Sequence, residues 1–250
     1  MKVLSASTIL VLLLTSCYLI RPAKVPMPAV YHAAADVNVD GLIVFLPGIG
    51  DGPERFDQKG MIDIVRRIAP TYDIVAADAH LAYYQNQSVI DRLHEDVIEP
   101  VAHRYQHIWV VGISMGGVGA ASYAIEHPKI VEGVILLAPF LGQDDLISEV
   151  ADAGGLRQWT APELADIDDS EQRQFYRLWR WYKTYATSDP PATILMLGFG
   201  TNDRLSDANQ LIADVMPVNR VVTMPGGHKW TVWVPIFESL LQRALYVPAE

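Results

Sequence analysis

The sequence predicts an α/β fold, with a mainly parallel sheet flanked by helices. Three observations support this prediction. Short apolar runs rich in β-branched residues recur along the chain, segments with helical periodicity separate them, and each run ends in glycine or polar residues. Apolar runs of this kind are typical of strands buried on both faces, as parallel strands between two helical layers are.

Size and charge limit the possible functions. At 250 residues the chain fits one domain around a single large core. The net charge is −10, and an acidic surface repels the phosphate backbone, so nucleic acid is not an expected partner.

The first sixteen residues predict a signal peptide. Met1-Lys2 is a short basic region, and Val3–Leu14 is an apolar segment too short to span a membrane. Leu14-Thr15-Ser16-Cys17 then resembles the lipobox of bacterial lipoproteins, which implies cleavage before Cys17 and lipidation of that residue. Cys17 is the only cysteine in the chain, so no internal disulfide can form.

A lipid anchor implies a location. We expect acyl chains on Cys17 to hold the chain at a membrane of the bacterial cell envelope, with the domain facing the periplasm or the surface. Tyr18 stands where aspartate marks inner-membrane retention in these lipoproteins, which favours the outer membrane. Residues 17–39 are then a lipidated N-terminus and a proline-containing tether. The alternative is an ordinary signal peptide or an uncleaved anchor with an incidental cysteine.

The predicted domain covers residues 40–250 and alternates strands with helices. The apolar runs predict strands over Gly41–Leu46, Tyr72–Ala77, His107–Val111, Gly133–Leu137, Thr193–Leu197 and Arg220–Met224. Helical periodicity predicts helices over Lys59–Ile68, Ser88–Tyr105, Met115–His127, Ser206–Met216 and Val232–Leu245.

Between Phe140 and Thr193 the alternation breaks. Asp144–Glu171 is strongly acidic, whereas Glu171–Ala186 alternates basic and aromatic side chains. We interpret this insertion, about residues 142–190, as a helical cap over the carboxyl ends of the strands. At helical spacing one apolar face collects Phe175, Leu178, Trp179, Tyr182 and Ala186. That face either packs the cap onto the body, lines an acyl pocket, or touches a lipid surface.

The turn after the third predicted strand carries the clearest motif. Gly112-Ile113-Ser114-Met115-Gly116 has the G-x-S-x-G pattern of a nucleophile elbow, in which a strained strand-to-helix turn exposes the serine hydroxyl. Its flanking glycines allow close backbone approach. A serine hydroxyl needs a base, and the base needs an acid to orient it.

The carboxyl ends of later strands are where these partners belong. Asp203 follows the strand Thr193–Leu197, and His228 follows Arg220–Met224. The competing acids are Asp207 and the pair Asp144-Asp145, and Asp203 could instead cap the following helix. His80 also follows a strand and could lie at the edge of the pocket.

The elbow and the order Ser114, Asp203, His228 resemble the α/β-hydrolase family over about residues 40–247. The resemblance implies that Ser114 attacks a carbonyl carbon, His228 transfers the proton, and Asp203 orients the imidazole. It also implies two backbone donors for the oxyanion, Met115 N–H and one from the loop Pro47-Gly48-Ile49-Gly50. We assign the second donor to Ile49, with Gly48 and Gly50 as alternatives. The family often has His-Gly where this chain has Pro-Gly.

These features predict a serine hydrolase that cleaves a carboxylic ester, with an apolar or acyl substrate, through an acyl-enzyme intermediate. Alternatives are an acyltransferase or thioesterase with the same triad, or a non-catalytic binding module tethered to a membrane. No metal-ligand spacing or phosphate-binding loop is visible, so we expect neither a metal nor a cofactor.

Overall fold

A seven-stranded sheet forms the centre of the molecule, which is described by a computed structural model covering residues 21–187 and 189–246. The strands lie in the order β1-β3-β2-β4-β5-β6-β7, and all neighbours are parallel except β1 and β3. Their bounds are Ala29–His32 (β1), Gly41–Leu46 (β2), Tyr72–Ala77 (β3), His107–Ile113 (β4), Gly133–Leu137 (β5), Ile194–Gly200 (β6) and Val221–Met224 (β7).

Helices cover both faces of the sheet. They are Glu54–Gln58 (α1), Met61–Ile68 (α2), Leu81–Gln85 (α3), Val89–Leu93 (α4), Glu99–Ala102 (α5), Met115–Glu126 (α6), Asp144–Asp152 (α7), Ser170–Thr184 (α8), Ser206–Ala213 (α9) and Trp230–Tyr246 (α10). The central strands β2 and β5 are buried at every position, as their continuous apolar sequences require. Among the described residues, no helix is both long and apolar enough to cross a membrane.

The described part of the N-terminal segment contacts the edge of the sheet. Ala29–His32 pairs antiparallel with β3 at the edge of the sheet, and Met27 is only 3% exposed. Arg21 makes two hydrogen bonds of 3.0 and 2.9 Å to Asp78. The described part of residues 17–39 therefore packs against the body. The backbone of β1 pairs with β3, and the side chain of Met27 is buried. Cys17 and the predicted signal peptide lie outside the described residues.

The helix predicted over Ser88–Tyr105 is interrupted. Between α4 and α5 the chain forms a π-helical turn over His94–Ile98. Pro100 explains the wider turn, because proline has no N–H to donate and its ring clashes with the carbonyl four residues earlier.

The cap segment lies between β5 and β6 and contains α7, a 3-10 turn over Leu164–Asp166, and α8. The apolar face of α8 packs inward, since Trp179 and Tyr182 are fully buried. Trp179 Nε1 donates a 2.8 Å hydrogen bond to the Leu141 carbonyl at the start of the insertion. Most of the aromatic face thus holds the cap on the body, whereas Phe175 reaches a cavity described below.

Candidate active site

Ser114 occupies a strained turn between β4 and α6. Its φ of 53° and ψ of −114° lie in a region that residues with a Cβ rarely adopt. The surrounding backbone holds it there, because Ser114 N–H donates to the Leu137 carbonyl (2.9 Å) and the Ser114 carbonyl accepts from Phe140 N–H (3.1 Å). Backbone hydrogen bonds to the end of the neighbouring strand β5 and the residues after it therefore hold Ser114 in this strained conformation.

The two glycines of the motif are required by close backbone contacts. A Cβ on Gly112 would lie 2.2 Å from the Gly116 carbonyl oxygen, and one on Gly116 would lie 2.2 Å from the Leu46 carbonyl oxygen. No side chain fits at these separations, so the close approach of α6 to β4 depends on Gly112 and its close approach to the end of β2 depends on Gly116.

The three predicted catalytic side chains meet at this turn. His228 Nε2 lies 2.9 Å from Ser114 Oγ, and His228 Nδ1 lies 2.8 and 3.0 Å from the two carboxylate oxygens of Asp203. A carboxylate can only accept, so Nδ1 carries the proton and Nε2 is left to accept from the serine hydroxyl. Trp233 packs edge-on against the imidazole at 4.7 Å between ring centroids and limits its rotation.

Asp203 is the carboxylate that contacts His228. Its side chain is fully buried, and its Oδ1 also accepts a 2.9 Å hydrogen bond from Leu205 N–H at the start of α9. The residue therefore orients the histidine and supports the turn before the helix at the same time. Of the competing acids, Asp207 is exposed and bonds Ser206, and the pair Asp144-Asp145 begins α7.

His80 lies just after β3 and is buried against Tyr83, with ring centroids 4.7 Å apart. Burial lowers the pKa of His80, which keeps the ring neutral near neutral pH. Its neighbour Leu81 lines the cavity beside the elbow, whereas His80 is not among the residues that line it.

The glycine-rich loop after β2 lies directly beside the nucleophile. A Cβ on Gly48 would stand 3.5 Å from Ser114 Cβ, and the next residue, Ile49, is 56% exposed. Met115 is the first residue of α6, where a backbone N–H has no partner within the helix. The loop and the helix start therefore both lie beside Ser114, where an oxyanion hole would require backbone donors.

Asp51 links this loop to the segment that carries the histidine. Its Oδ2 accepts a 3.0 Å hydrogen bond from Trp230 Nε1, and its Oδ1 accepts one of 3.0 Å from Arg55. Trp230 follows His228 by two residues and begins α10. Sequence reasoning missed Asp51; the available signal was a single carboxylate within a glycine-rich loop at the carboxyl end of a strand.

A cavity of about 260 Å³, the inner chamber, opens beside the elbow. Its apolar wall is formed by Ile49, Leu81, Met115, Val118, Phe140 and Phe175. Phe175 comes from α8 and packs edge-on against Phe140, with ring centroids 5.4 Å apart. The predicted oxyanion residues Ile49 and Met115 thus border an apolar space partly covered by the cap.

Within residues 21–187 and 189–246, no group of histidine, cysteine, aspartate or glutamate side chains is arranged to hold a metal ion. The site chemistry described here uses only a hydroxyl, an imidazole, a carboxylate and backbone N–H groups. This combination can activate an oxygen nucleophile and stabilise an oxyanion.

Comparisons with known proteins agree on the architecture. Residues 87–181 match the sequence model of a family described as serine aminopeptidase, S33. No curated protein matches the chain.

Similar solved structures include a hydrolase from Pseudomonas aeruginosa, at 20% identity and a TM-score of 0.55 over 90% of this chain and 97% of the other. A monoacylglycerol lipase from Paleococcus ferrophilus has 16% identity and a TM-score of 0.54 over 88% and 98%. An S-formylglutathione hydrolase from Staphylococcus aureus has 14% identity and a TM-score of 0.57 over 88% and 94%. The chain has the α/β-hydrolase fold, which confirms the fold class predicted from the sequence.

Proposed function

We propose that the chain is a serine hydrolase that cleaves a carboxylic ester through an acyl-enzyme intermediate. The observation that carries the proposal is the continuous hydrogen-bond chain from Ser114 through His228 to Asp203, at 2.9 and 2.8 Å, beside the glycine-rich loop. The similarity to the S33 family model and to solved hydrolases supports the same reaction class. The apolar inner chamber supports an ester with an acyl group rather than a charged substrate.

The proposed reaction has two halves. Ser114 Oγ bonds to the ester carbonyl carbon while its proton passes to His228 Nε2, and the carbonyl oxygen becomes an oxyanion that Met115 and Ile49 N–H bind. The bond from that carbon to the alcohol oxygen then breaks, and His228 returns the proton to the departing alcohol. Water attacks the acyl-enzyme by the same path in reverse, releasing the acid and free Ser114.

Asp203 contributes throughout both halves. Its buried carboxylate holds the proton of the imidazole on Nδ1 and stabilises the positive charge that His228 gains when Ser114 attacks. Trp233 packs edge-on against the imidazole and limits its rotation.

The primary test is labelling with a fluorophosphonate probe together with hydrolysis of p-nitrophenyl acetate. We expect wild-type protein to be labelled at Ser114 and to hydrolyse the ester. Ser114→Ala should lose the label and reduce kcat by roughly a millionfold, since triad residues act as a unit. A folded wild-type protein that neither labels nor hydrolyses the ester would refute the proposal, with circular dichroism as the check on folding.

An aminopeptidase is the second candidate, because the matching family is described as serine aminopeptidase. Such an enzyme needs a carboxylate to bind the ammonium group of its substrate, and Glu171 of α8 stands on the wall of the inner chamber. That carboxylate is exposed, so its attraction for a cation is screened by solvent. Faster turnover of aminoacyl p-nitroanilides than of the matching p-nitrophenyl esters would favour this candidate over the esterase.

Two further parts of the proposal have separate tests. An acyltransferase would need an added alcohol or amine for turnover, so product formation in water alone is expected from a hydrolase.

We also propose that Cys17 carries a lipid anchor to a membrane of the bacterial cell envelope, with the outer membrane favoured. Cys17→Ser should then release the protein from the membrane fraction, and unchanged fractionation would refute the anchor.

A further inference from the structure

Two cavities lie side by side along the cap helix α8. The inner chamber borders the elbow, and a second cavity of about 300 Å³, the outer chamber, extends away from it between α6 and α8. The residues that line both are Tyr84, Gln87 and Gln174. These side chains therefore form the wall between the two chambers.

The two glutamines of this wall are held by hydrogen bonds that cross between body and cap. Gln87, from the body, donates through Nε2 to Ser170 Oγ at the start of α8, at 2.8 Å. Gln174, from α8, donates through Nε2 to Ser122 Oγ in α6, at 3.3 Å. Each amide thus has a hydrogen-bond partner on the opposite side of the cleft.

The backbone at Gln87 adds an independent observation. Its φ is 58°, a left-handed conformation that costs energy for any residue except glycine. Glycine would occupy the turn between α3 and α4 with less strain, yet the chain places a long amide there. The strain at Gln87 therefore indicates that its side chain, and not the shape of the turn, has a role at this position.

The position of the inner chamber indicates which part of an ester it holds. The departing alcohol must lie near His228, because that residue protonates it. Among the described residues, the lining of the inner chamber includes Met115 and Ile49 but not His228. The chamber therefore lies on the side of the carbonyl carbon that carries the acyl chain.

We propose that Gln87 and Gln174 limit the length of the acyl chain that the enzyme accepts, so that its substrates are esters of short acyl groups. This inference rests on the proposed esterase function. An acyl chain that fills the inner chamber meets the two amides and stops. The lining of the outer chamber beyond them is mixed: it has charged side chains, and it also has the apolar side chains of Ile90, Ile125 and Leu178, which longer acyl chains can contact once the wall is removed.

The test uses two variants that open the wall without loss of fold. Gln87→Gly suits the left-handed turn, and Gln174→Ala places the best helix former within α8. With p-nitrophenyl esters, we expect the ratio of kcat/KM for octanoyl to that for butanoyl to rise about tenfold in each variant, the effect of one added methylene contact in an apolar pocket. The double variant should show the larger rise.

Ser170→Ala is the matched control, because it removes the hydrogen bond to Gln87 but leaves the amide in place. We expect its ratio to stay close to that of wild type. A rise equal to that of Gln87→Gly would overturn the claim that side-chain volume sets the limit.

A second series separates the acyl side from the alcohol side. Acetate esters of butanol, hexanol and octanol keep the acyl group constant, and the variants should leave their relative rates unchanged. A shift in this series instead of the acyl series would overturn the assignment of the inner chamber.

Failure of the inference differs from failure of the proposed function. Ester hydrolysis with an unchanged octanoyl-to-butanoyl ratio in both variants overturns the inference alone. Absence of fluorophosphonate labelling and of all ester hydrolysis in folded wild-type protein refutes the esterase itself.

Discussion

The nucleophile elbow and the cap helix both border the inner chamber, but different contacts hold them in place. The elbow is held by backbone atoms: carbonyl oxygens stand 2.2 Å from where a Cβ on Gly112 or Gly116 would lie. The cap helix α8 is held by side chains, such as Trp179 on the Leu141 carbonyl and Gln174 on Ser122.

This difference suggests that the elbow fixes the geometry of the reaction, whereas the cap determines which substrates bind. Backbone contacts leave no room for substitution, so the atoms that react are held in one geometry. Side-chain contacts can be exchanged for others of similar size without moving the sheet. We therefore expect changes at the elbow and triad to act on rate or folding, and changes in the cap to act on substrate choice.

The largest effect is expected from a change of Asp203, the carboxylate that contacts His228. Asp203→Asn should lower kcat about ten-thousandfold, because the amide favours the wrong imidazole tautomer. Steady-state hydrolysis of p-nitrophenyl acetate measures the effect. Asp207→Asn is the matched control, and we expect its kcat to equal that of wild type because Asp207 is exposed and bonds only to Ser206 among the described residues. The reverse pattern would assign the acid to Asp207.

A glycine substitution tests whether backbone contact is what holds the elbow. Gly116→Ala should lower the free energy of unfolding by about 3 kcal/mol, because the new methyl meets the Leu46 carbonyl and neither α6 nor β2 has room to move away. Urea denaturation gives the value. Gly227→Ala adds the same methyl where the nearest atom is 3.4 Å away, and its cost should stay below about 1 kcal/mol. Equal costs for the two would contradict the argument from backbone contact.

The hydrogen bond from Trp230 to Asp51 combines both kinds of contact, because a side chain here orients the glycine-rich loop that is proposed to supply a backbone donor. Trp230→Phe removes the N–H donor but keeps an aromatic ring against Phe56 and Trp233. We expect kcat to fall roughly tenfold with little change in KM, about the free energy of one hydrogen bond.

The other partner of Asp51 provides the control for that experiment. Arg55→Ala removes a partly exposed ion pair, so its kcat should stay within about twofold of wild type. A kcat for Trp230→Phe equal to that of wild type would show that the loop holds its position without this hydrogen bond.

The smallest effect is expected on the outside of the cap. Arg177 of α8 pairs with Glu126 of α6 at 2.9 Å, and both side chains are more than a third exposed. Arg177→Ala should lower the free energy of unfolding by about 0.5 kcal/mol or less, since solvent screens the pair. Thermal unfolding of Arg177→Ala, Glu126→Ala and the double variant measures the coupling between the two side chains. A coupling of several kcal/mol would mean that charge, and not aromatic packing, holds the cap.

The sequence was most informative where backbone geometry dictates residue type. The elbow requires glycine on both sides of Ser114, and the partners of the serine must follow later strands. Asp203 and His228 could therefore be proposed from the strand pattern and the order of the motif, with Asp207 and Asp144-Asp145 as competing acids. The structure places His228 within hydrogen-bond distance of both Ser114 and Asp203.

The sequence was least informative where a feature depends on contacts between distant side chains. Strand β1 has no continuous apolar run, and its pairing with β3 is visible only once the sheet is assembled. The hydrogen bond from Trp230 to Asp51 joins residues 179 positions apart. The wall of Gln87 and Gln174 likewise arises from two segments brought together by the cap, and glutamine carries no pattern that predicts such a role.

If Cys17 carries the proposed lipid anchor, the ion pair of Arg21 with Asp78 fixes how far the sheet can lie from the membrane. Asp78 follows β3 at the same edge of the sheet as Ser114. Arg21 follows Cys17 by four positions, and four steps of extended chain reach at most about 14 Å. An acylated Cys17 would therefore keep this edge of the sheet close to the lipid headgroups, so the enzyme would meet ester substrates as they leave the bilayer instead of searching the surrounding solution.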